Sequence, residues 1–259
     1  MPIELIDSHC HLDMEPFDGD RDDCVARATG AGVTRLITIG TGSGLSGAKK
    51  AIALAEKHPH VWASVGIHPH SAGDTIDFTE LEKLARHPKV VGIGETGLDF
   101  FRDWAPVEKQ RAIFQAQIAL ARAIKKPLII HSRDAGEECL ATLVEHQAGE
   151  VGGVFHCFSE DAAFAEKLRA IGFLVSFPGQ ITFKKASAVR DICRDIPLHQ
   201  IMVETDSPFL APEPHRGKRC EPAFVVHTAQ KIAEVKGLSF EEVAAITTRN
   251  ALTLFSTMR

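Results

Sequence analysis

The sequence predicts an α/β protein of the (β/α)8 TIM-barrel type. Short apolar runs alternate with longer segments of helical period along the whole chain. The length of 259 residues is close to the roughly 250 residues typical of such barrels. Residues that can bind metal also recur at the ends of the apolar runs. A doubly wound open sheet uses the same alternation and is the structural alternative.

The strand candidates are short runs rich in β-branched and apolar residues, as expected for buried parallel strands. In chain order they are IELIDSH (3–9), VTRLITIG (33–40), VWASVGIH (61–68), VVGIGE (90–95), PLIIHS (127–132), GGVFHCF (152–158), FLVSF (173–177) and IMVETD (201–206).

The helix candidates carry apolar residues at a spacing of three to four. They cover residues 21–32, 44–58, 78–87, 107–126, 134–146, 161–172, 186–196, 224–237 and 239–255. Each strand candidate is therefore followed by a helix. We find no Gly/Ser/Pro-rich linker and no internal repeat, so one catalytic domain over residues 1–259 is expected.

The composition indicates an ordinary globular protein, with 44% hydrophobic and 24% charged residues. A formal net charge of −5 argues against a broad basic surface for nucleic acid, although it allows a nuclease whose contacts lie in one cleft. No signal-peptide pattern and no bilayer-length apolar run is recognised, so we expect a cytoplasmic location and no membrane association. The six cysteines lack close paired spacing, which favours free thiols.

Metal-binding residue types are concentrated at one end of the strand candidates. A lone His-x-His such as His9 and His11 is also compatible with a polar loop. In a barrel, however, the carboxyl ends of all strands meet at one rim, where active sites lie. This convergence predicts a metal site. The residues that close strand candidates are His9 and His11 (first), His68 (third), Glu95 (fourth), His131 (fifth), His156 (sixth) and Asp206 (eighth).

Six motifs in this order resemble those of TatD-type metal-dependent deoxyribonucleases, within the amidohydrolase-like barrels: DSHCHLD, VGIHPH, GETGLDF, IIHSR, FHCFS and VETDSPFL. The resemblance implies a metal-dependent phosphodiesterase that acts on DNA, often as a 3′–5′ exonuclease. It also implies two divalent metal ions. By the same resemblance, the ligands are His9, His11 and Asp206 for one ion, His131 and His156 for the other, and Glu95 shared by both.

General chemistry agrees with this assignment. Two divalent ions about 3.5–4 Å apart can stabilise the attacking and leaving oxygens and activate water, so no Ser or Cys nucleophile is required. Glu95 has two oxygens that can serve different ions, and Asp206 is the hypothetical proton acceptor, so both are candidate catalytic residues. Four imidazoles favour Zn²⁺ or Mn²⁺, whereas the family is usually described as Mg²⁺-dependent, so the ion remains open.

Residues next to these ligands have two interpretations each. Asp7 and Glu204 lie two positions before His9 and Asp206, and they either orient ligand imidazoles or form a structural ion pair below the site. His70 is expected to fix a loop by a hydrogen bond.

For the substrate, single-stranded DNA or frayed ends are expected, without an obligate protein partner. His68 is a candidate contact to a phosphate or a leaving group. Arg133 either binds a phosphate oxygen or forms a salt bridge to the next helix. The basic segment PHRGKR (214–219) is either a DNA contact or a solvated loop. Trp104 and Phe100 are possible stacking platforms, with packing favoured for Phe100.

Two other functions share the predicted fold and ligand set. One is hydrolysis of C–N or ester bonds, as in amidohydrolases, including deacylation of D-aminoacyl-tRNA. The other is a non-catalytic metal-binding scaffold, which is disfavoured because every ligand position carries a ligand-type residue.

Overall fold

The computed structural model describes residues 4–42 and 44–259. Within these residues, eight parallel strands form one sheet in the order in which they occur in the chain. The barrel closes where Cys10 bridges Ser207 and the His11 amide donates to the Ser207 carbonyl at 2.7 Å. The predicted (β/α)8 barrel is therefore confirmed, and the open sheet is wrong. The strands are β1 (Leu5–Cys10), β2 (Val33–Gly40), β3 (Val61–Val65), β4 (Val90–Asp99), β5 (Leu128–Arg133), β6 (Gly153–Phe155), β7 (Phe173–Phe177) and β8 (Ile201–Val203).

The helices surround the strands, and β8 is followed by two of them. The last helix begins with a capping box, in which the Ser239 side chain and Glu242 satisfy each other's backbone amides. The α-helices are α1 (Arg21–Gly30), α2 (Ser46–Lys57), α3 (Phe78–Ala85), α4 (Val107–Ile124), α5 (Gly136–Glu145), α6 (Ala162–Ala170), α7 (Ser187–Asp195), α8 (Val225–Lys236) and α9 (Phe240–Leu254).

Two apolar layers hold the barrel together. The larger layer packs alternate strand residues against the surrounding helices. The smaller layer takes the other strand residues, among them Ile37, Ile129 and Met202, together with Phe255 and Met258 beyond α9. Because side chains alternate along a strand, this second set fills the lower barrel interior and is covered by the C-terminal segment. Polar interior positions are thereby confined to the opposite end.

Strand ends differ from the predicted ones at the polar end of the barrel. β3, β6 and β8 stop at Val65, Phe155 and Val203, before the polar residues that were expected to close them, which are His68, His156 and Asp206. β4 instead continues four residues past Glu95 to Asp99. Beyond the ends of β6 and β8, Cys157 and Asp206 adopt positive φ angles of 48° and 56°, which a continued strand would not allow.

Among the described residues, no helix has both the length and the apolar content required to span a membrane.

Candidate metal centre

The Glu95 carboxylate lies at the centre of the polar end and is almost completely buried. Its Oε2 atom is 3.6 Å from His9 Nε2 and 3.9 Å from His11 Nε2. Its Oε1 atom is 2.8 Å from His131 Nδ1 and 2.7 Å from His156 Nε2. Each oxygen of the carboxylate thus faces a different pair of imidazoles, and the two pairs adjoin, because the His9 and His156 rings stack with centroids 3.9 Å apart.

The first pair of imidazoles meets Asp206. The Nε2 atoms of His9 and His11 are 3.3 Å apart, and Asp206 Oδ1 lies 3.8 Å and 3.4 Å from them. Ligands on a tetrahedral ion with bonds of ~2.0–2.2 Å are separated by roughly 3.3–3.6 Å. The two Nε2 atoms and Asp206 Oδ1 therefore lie at distances that suit ligands of one cation. Their lone pairs and negative charge converge on one point, which a cation would neutralise.

Asp206 is held in place by its backbone. Its amide donates to the His9 carbonyl at 2.9 Å, which ties the loop after β8 to β1. Burial raises the pKa of Asp206, but the hydrogen bond from His11 and the nearby imidazoles outweigh burial and keep it below its usual value. Asp206 is therefore a carboxylate near neutral pH. Burial lowers the pKa of His11, whereas Asp206 and Glu95 raise it to about 9.

The second pair of imidazoles faces Oε1 of Glu95. His131 Nε2 is 2.9 Å from Asp99 Oδ2, so this nitrogen carries the proton in a neutral ring, and the Nδ1 lone pair faces Glu95. A lone pair opposite a carboxylate oxygen requires a cation or a proton between them. Burial lowers the pKa of His156, but attraction by Glu95 and Glu204 raises it well above its ordinary value. Positive charge is thus favoured at this position.

Glu204 and Asp7 support the centre through the backbone and one imidazole. Glu204 Oε1 accepts from the Cys157 amide at 2.7 Å and lies 3.6 Å from His156 Nδ1. Asp7 accepts from the Thr205 amide at 2.9 Å and from its hydroxyl at 2.6 Å. Asp7 also accepts from the His9 amide at 3.3 Å, so its contacts join β1 to the loop after β8 without touching a ring.

His68 presents a proton donor to the centre. Its Nδ1 accepts the backbone N–H of His70 at 3.1 Å, so Nε2 carries the proton in the neutral ring. This Nε2 lies 3.3 Å from His131 Nδ1 and 3.5 Å from Glu95 Oε1. Burial lowers the pKa of His68 to about 4, which keeps the ring neutral. His68 is thereby suited to donating a hydrogen bond.

Asp99 is a residue of the site that sequence reasoning missed. Its Oδ2 is 2.9 Å from His131 Nε2 and 2.7 Å from His70 Nε2. Its Oδ1 accepts the amides of Phe101 and Arg102 at 3.0 Å and 2.9 Å. A signal existed, because residues four apart in a strand share a face, and Asp99 follows Glu95 by four.

The second glycine of GETGLD, Gly97, explains how β4 approaches β5 so closely. A Cβ atom on Gly97 would lie 2.0 Å from the His131 carbonyl oxygen, and its φ is +141°. Only glycine satisfies both constraints. The motif therefore allows Glu95 and Asp99 to approach His131 from one strand.

A cavity of about 580 Å³ opens beside the second imidazole pair. Arg133 lines it, and the guanidinium carbon lies 3.9 Å from the centre of the Phe101 ring. In the described part of the chain, no carboxylate forms a salt bridge with Arg133, so the predicted alternative of a salt bridge to the next helix is not observed. Among the other lining residues are His131, His156, Asp206 and Phe209.

The basic segment 214–219 and the candidate Phe100 lie outside this arrangement. Arg219 is paired with Asp20 at 2.7 Å and Glu221 at 3.1 Å. The guanidinium carbon of Arg216 lies 3.7 Å from the centre of the Phe183 ring. Phe100 packs against the main apolar layer, as favoured from the sequence, whereas its neighbour Phe101 is exposed.

Comparisons with known proteins identify the family of the chain. A family model described as TatD related DNase matches residues 6–256. The uncharacterized metal-dependent hydrolase YabD of Bacillus subtilis (strain 168) is 41% identical over 256 residues, covering 97% of this chain and 98% of that protein. The 3′-5′ ssDNA/RNA exonuclease TatD of Salmonella typhimurium is 33% identical over 258 residues, covering 97% and 98%.

A solved structure is similar over the same extent. The crystal structure of YjjV, a TatD homologue from Escherichia coli K12, has a TM-score of 0.91 and 32% identity, and the match covers 99% of both chains. With a family match from the first strand to beyond the last helix, the chain belongs to the TatD family of metal-dependent hydrolases.

Proposed function

We propose that the protein hydrolyses phosphodiester bonds of DNA, as a 3′–5′ exonuclease that uses two divalent metal ions. The main observation behind the proposal is that the two carboxylate oxygens of Glu95 face two different pairs of imidazoles. Two cations held by one carboxylate are the arrangement that serves in-line displacement at phosphorus. The family description as a DNase and the exonuclease name of one relative support the choice of substrate.

In this proposal, His9, His11 and Asp206 hold one ion, His131 and His156 hold the other, and Glu95 is shared. The bound ions, Mg²⁺, Mn²⁺ or Zn²⁺, would polarise the phosphate and activate a water molecule. The imidazole ligands favour Zn²⁺ or Mn²⁺ over Mg²⁺. The whole chain would form one catalytic domain, since these residues come from strands around the entire barrel.

Three residues would act on the attacking water or on the substrate. Asp206 is ionised and can accept a proton from the attacking water. Neutral His68 can donate from Nε2 to a phosphate oxygen or to the leaving group. Arg133 lines the cavity without a carboxylate partner and can offer paired N–H groups to a non-bridging oxygen. Glu204 and Asp99 would orient His156 and His131, respectively.

A cytoplasmic location also remains a proposal. It is supported by the six cysteines, which are all free thiols, as expected in a reducing compartment.

The test is cleavage of single-stranded DNA labelled at either the 3′ or the 5′ end. Metal-stripped protein should be inactive, and adding back Mg²⁺, Mn²⁺ or Zn²⁺ should restore immediate release of the 3′ label and stepwise shortening of the 5′-labelled strand. Glu95→Ala is the control for a contaminating nuclease. Folded, metal-loaded protein that leaves DNA intact but hydrolyses esters, amides or D-aminoacyl-tRNA would overturn the proposal.

A further inference from the structure

Three exposed aromatic side chains surround the mouth of the metal centre. Phe101, Trp104 and Phe209 are 52%, 63% and 51% exposed. Across residues 4–42 and 44–259, these three are the only exposed aromatic side chains, the other exposed large apolar residues being Val107, Val144 and Leu238. Exposing a phenyl or indole ring to water is unfavourable, so this clustering requires an explanation.

Phe209 lies beside the first imidazole pair. Its ring is edge-on to His11, with centroids 6.2 Å apart, and its amide donates to the Asp206 carbonyl at 2.9 Å. Phe209 also lines the cavity that contains Arg133 and His156. The ring is therefore fixed by the same loop that carries a candidate ligand.

Phe101 and Trp104 lie beside the second imidazole pair. The Trp104 ring is edge-on to His70, with centroids 4.4 Å apart. Asp99 accepts the Phe101 amide at 3.0 Å, which anchors this loop to the carboxylate that binds His131. Both side chains are thus positioned relative to the centre, and more than half of each remains exposed.

Guanidinium groups are interleaved with these rings. Arg133 lies 3.9 Å from the Phe101 centroid, and Arg102 lies 5.1 Å from Phe101 and 5.4 Å from Trp104. Aromatic faces bind unpaired bases, and neighbouring cations bind the phosphates, which is the chemistry of single-strand recognition. A duplex keeps its base faces stacked and cannot offer them.

We propose that Phe209 on one side, and Phe101 with Trp104 on the other, form two base-stacking sites that hold unpaired nucleotides next to the metal centre. This inference rests on the proposed function and deepens it, because it assigns the selection of single strands to particular side chains. The occupant is a single-stranded nucleic acid, either DNA or RNA.

Tryptophan fluorescence provides a direct measurement of binding. The chain has two tryptophans, and Trp62 packs against the lower apolar layer beneath Lys89, at the opposite end of the barrel. In Trp62→Phe protein, Trp104 is the only reporter. Metal-loaded protein should show quenched emission on addition of phosphorothioate-linked oligothymidylate, which is charged but resists hydrolysis. A blunt hairpin of equal charge should quench little, and oligouridylate in a parallel titration separates RNA from DNA.

Paired changes in protein and oligonucleotide distinguish stacking from general weakening. Phe209→Ala and Phe101→Ala should each weaken single-strand binding by roughly tenfold, the expected loss of one base–aromatic stack. An abasic nucleotide at the matching position should cause the same loss, and the two losses should not add. Phe209→Tyr should retain binding, and Leu238→Ala, at a remote exposed residue, should bind like the wild type.

The outcomes separate the two proposals. Alanine variants that bind as tightly as the wild type, or losses that add fully to that of the abasic site, would overturn the stacking sites. Equal binding of the blunt hairpin would also overturn them. Non-additive losses without any DNA cleavage would support the stacking sites and count against the nuclease proposal alone.

Discussion

The Nε2 atom of His131 lies 2.9 Å from Oδ2 of Asp99, and this contact determines which nitrogen of the ring faces the metal centre. With the proton held at Nε2, Nδ1 is free to bind a cation next to Glu95. The Nδ1 atoms of His9, His11 and His156 are buried without a hydrogen bond in the described structure, with Glu204 3.6 Å from that of His156. His131 is therefore the imidazole whose tautomer is fixed by a carboxylate.

Asp99→Ala should weaken binding of one of the two ions by about 10–100-fold, the usual effect of removing a carboxylate that orients a ligand histidine. The physical reason is that the His131 ring loses the acceptor that fixes its tautomer. Isothermal titration of metal-stripped protein with Mn²⁺ or Zn²⁺ measures both affinities and the stoichiometry.

The matched control for Asp99 is Asp161→Asn. Asp161 caps α6 by accepting the Phe164 amide at 2.7 Å, away from the centre, and Asn is an equally good cap. Unchanged affinities for both ions in Asp99→Ala would show that Asp99 orients only the loop and does not support metal binding.

Asp206→Asn should lower kcat far more than metal affinity. The amide is similar in shape and can still offer an oxygen, but it cannot accept a proton from the attacking water. General base catalysis contributes about 10²–10⁴-fold, so a loss of this size is expected, with metal affinity within about tenfold of the wild type. Turnover at saturating metal and the titrated metal content are compared on the same preparation. Loss of the ion as the sole defect would contradict a role in proton transfer.

The grouping of these side chains could be predicted because the fold brings strand ends together. Strand alternation placed His9, Glu95 and His131 at one rim before any distance was known, and in the structure the Glu95 carboxylate lies 3.6 Å from His9 Nε2 and 2.8 Å from His131 Nδ1. No long-range information was needed, since parallel strands in a closed barrel share one carboxyl end.

Asp99 and the partners of Arg219 could not be predicted, for different reasons. The predicted strand stopped at Glu95, whereas β4 continues to Asp99 because Gly97 lets the backbone approach β5. Arg219 binds Asp20, which is 199 positions away in the sequence, so only the closed fold reveals that its charge is already paired. Local patterns carry no information of this kind.

Arg133→Gln should weaken binding of single-stranded DNA uniformly across sequences and reduce the slope of its salt dependence by about one, because one phosphate contact is lost. Arg219→Gln is the control of equal charge. Its guanidinium is committed to Asp20 and Glu221, so the slope should not change. Binding is measured by fluorescence anisotropy between 50 and 200 mM salt, a range of roughly the size over which such slopes are resolved. A reduced slope in Arg219→Gln would instead assign the basic segment to DNA.

Because of Asp7, the free energy of unfolding of the metal-stripped protein should fall as the pH rises from about 4 to 8. Burial raises the pKa of Asp7 to about 8, even though hydrogen bonds from Thr205 and His9 lower it. In the unfolded chain the carboxyl ionises near its ordinary pKa of 3.8, so within this interval the folded state holds a proton that the unfolded state has lost.

Asp7→Asn mimics the protonated carboxyl, because its oxygen can accept the two amides while its NH₂ donates to the Thr205 hydroxyl. The free energy of unfolding of this variant should therefore gain on the wild type by up to about 1.4 kcal/mol for each pH unit between 5 and 8. Urea unfolding at a series of pH values measures the difference. Parallel pH profiles for the two proteins would mean that Asp7 ionises normally and that the hydrogen bonds from Thr205 and His9 stabilise its buried charge.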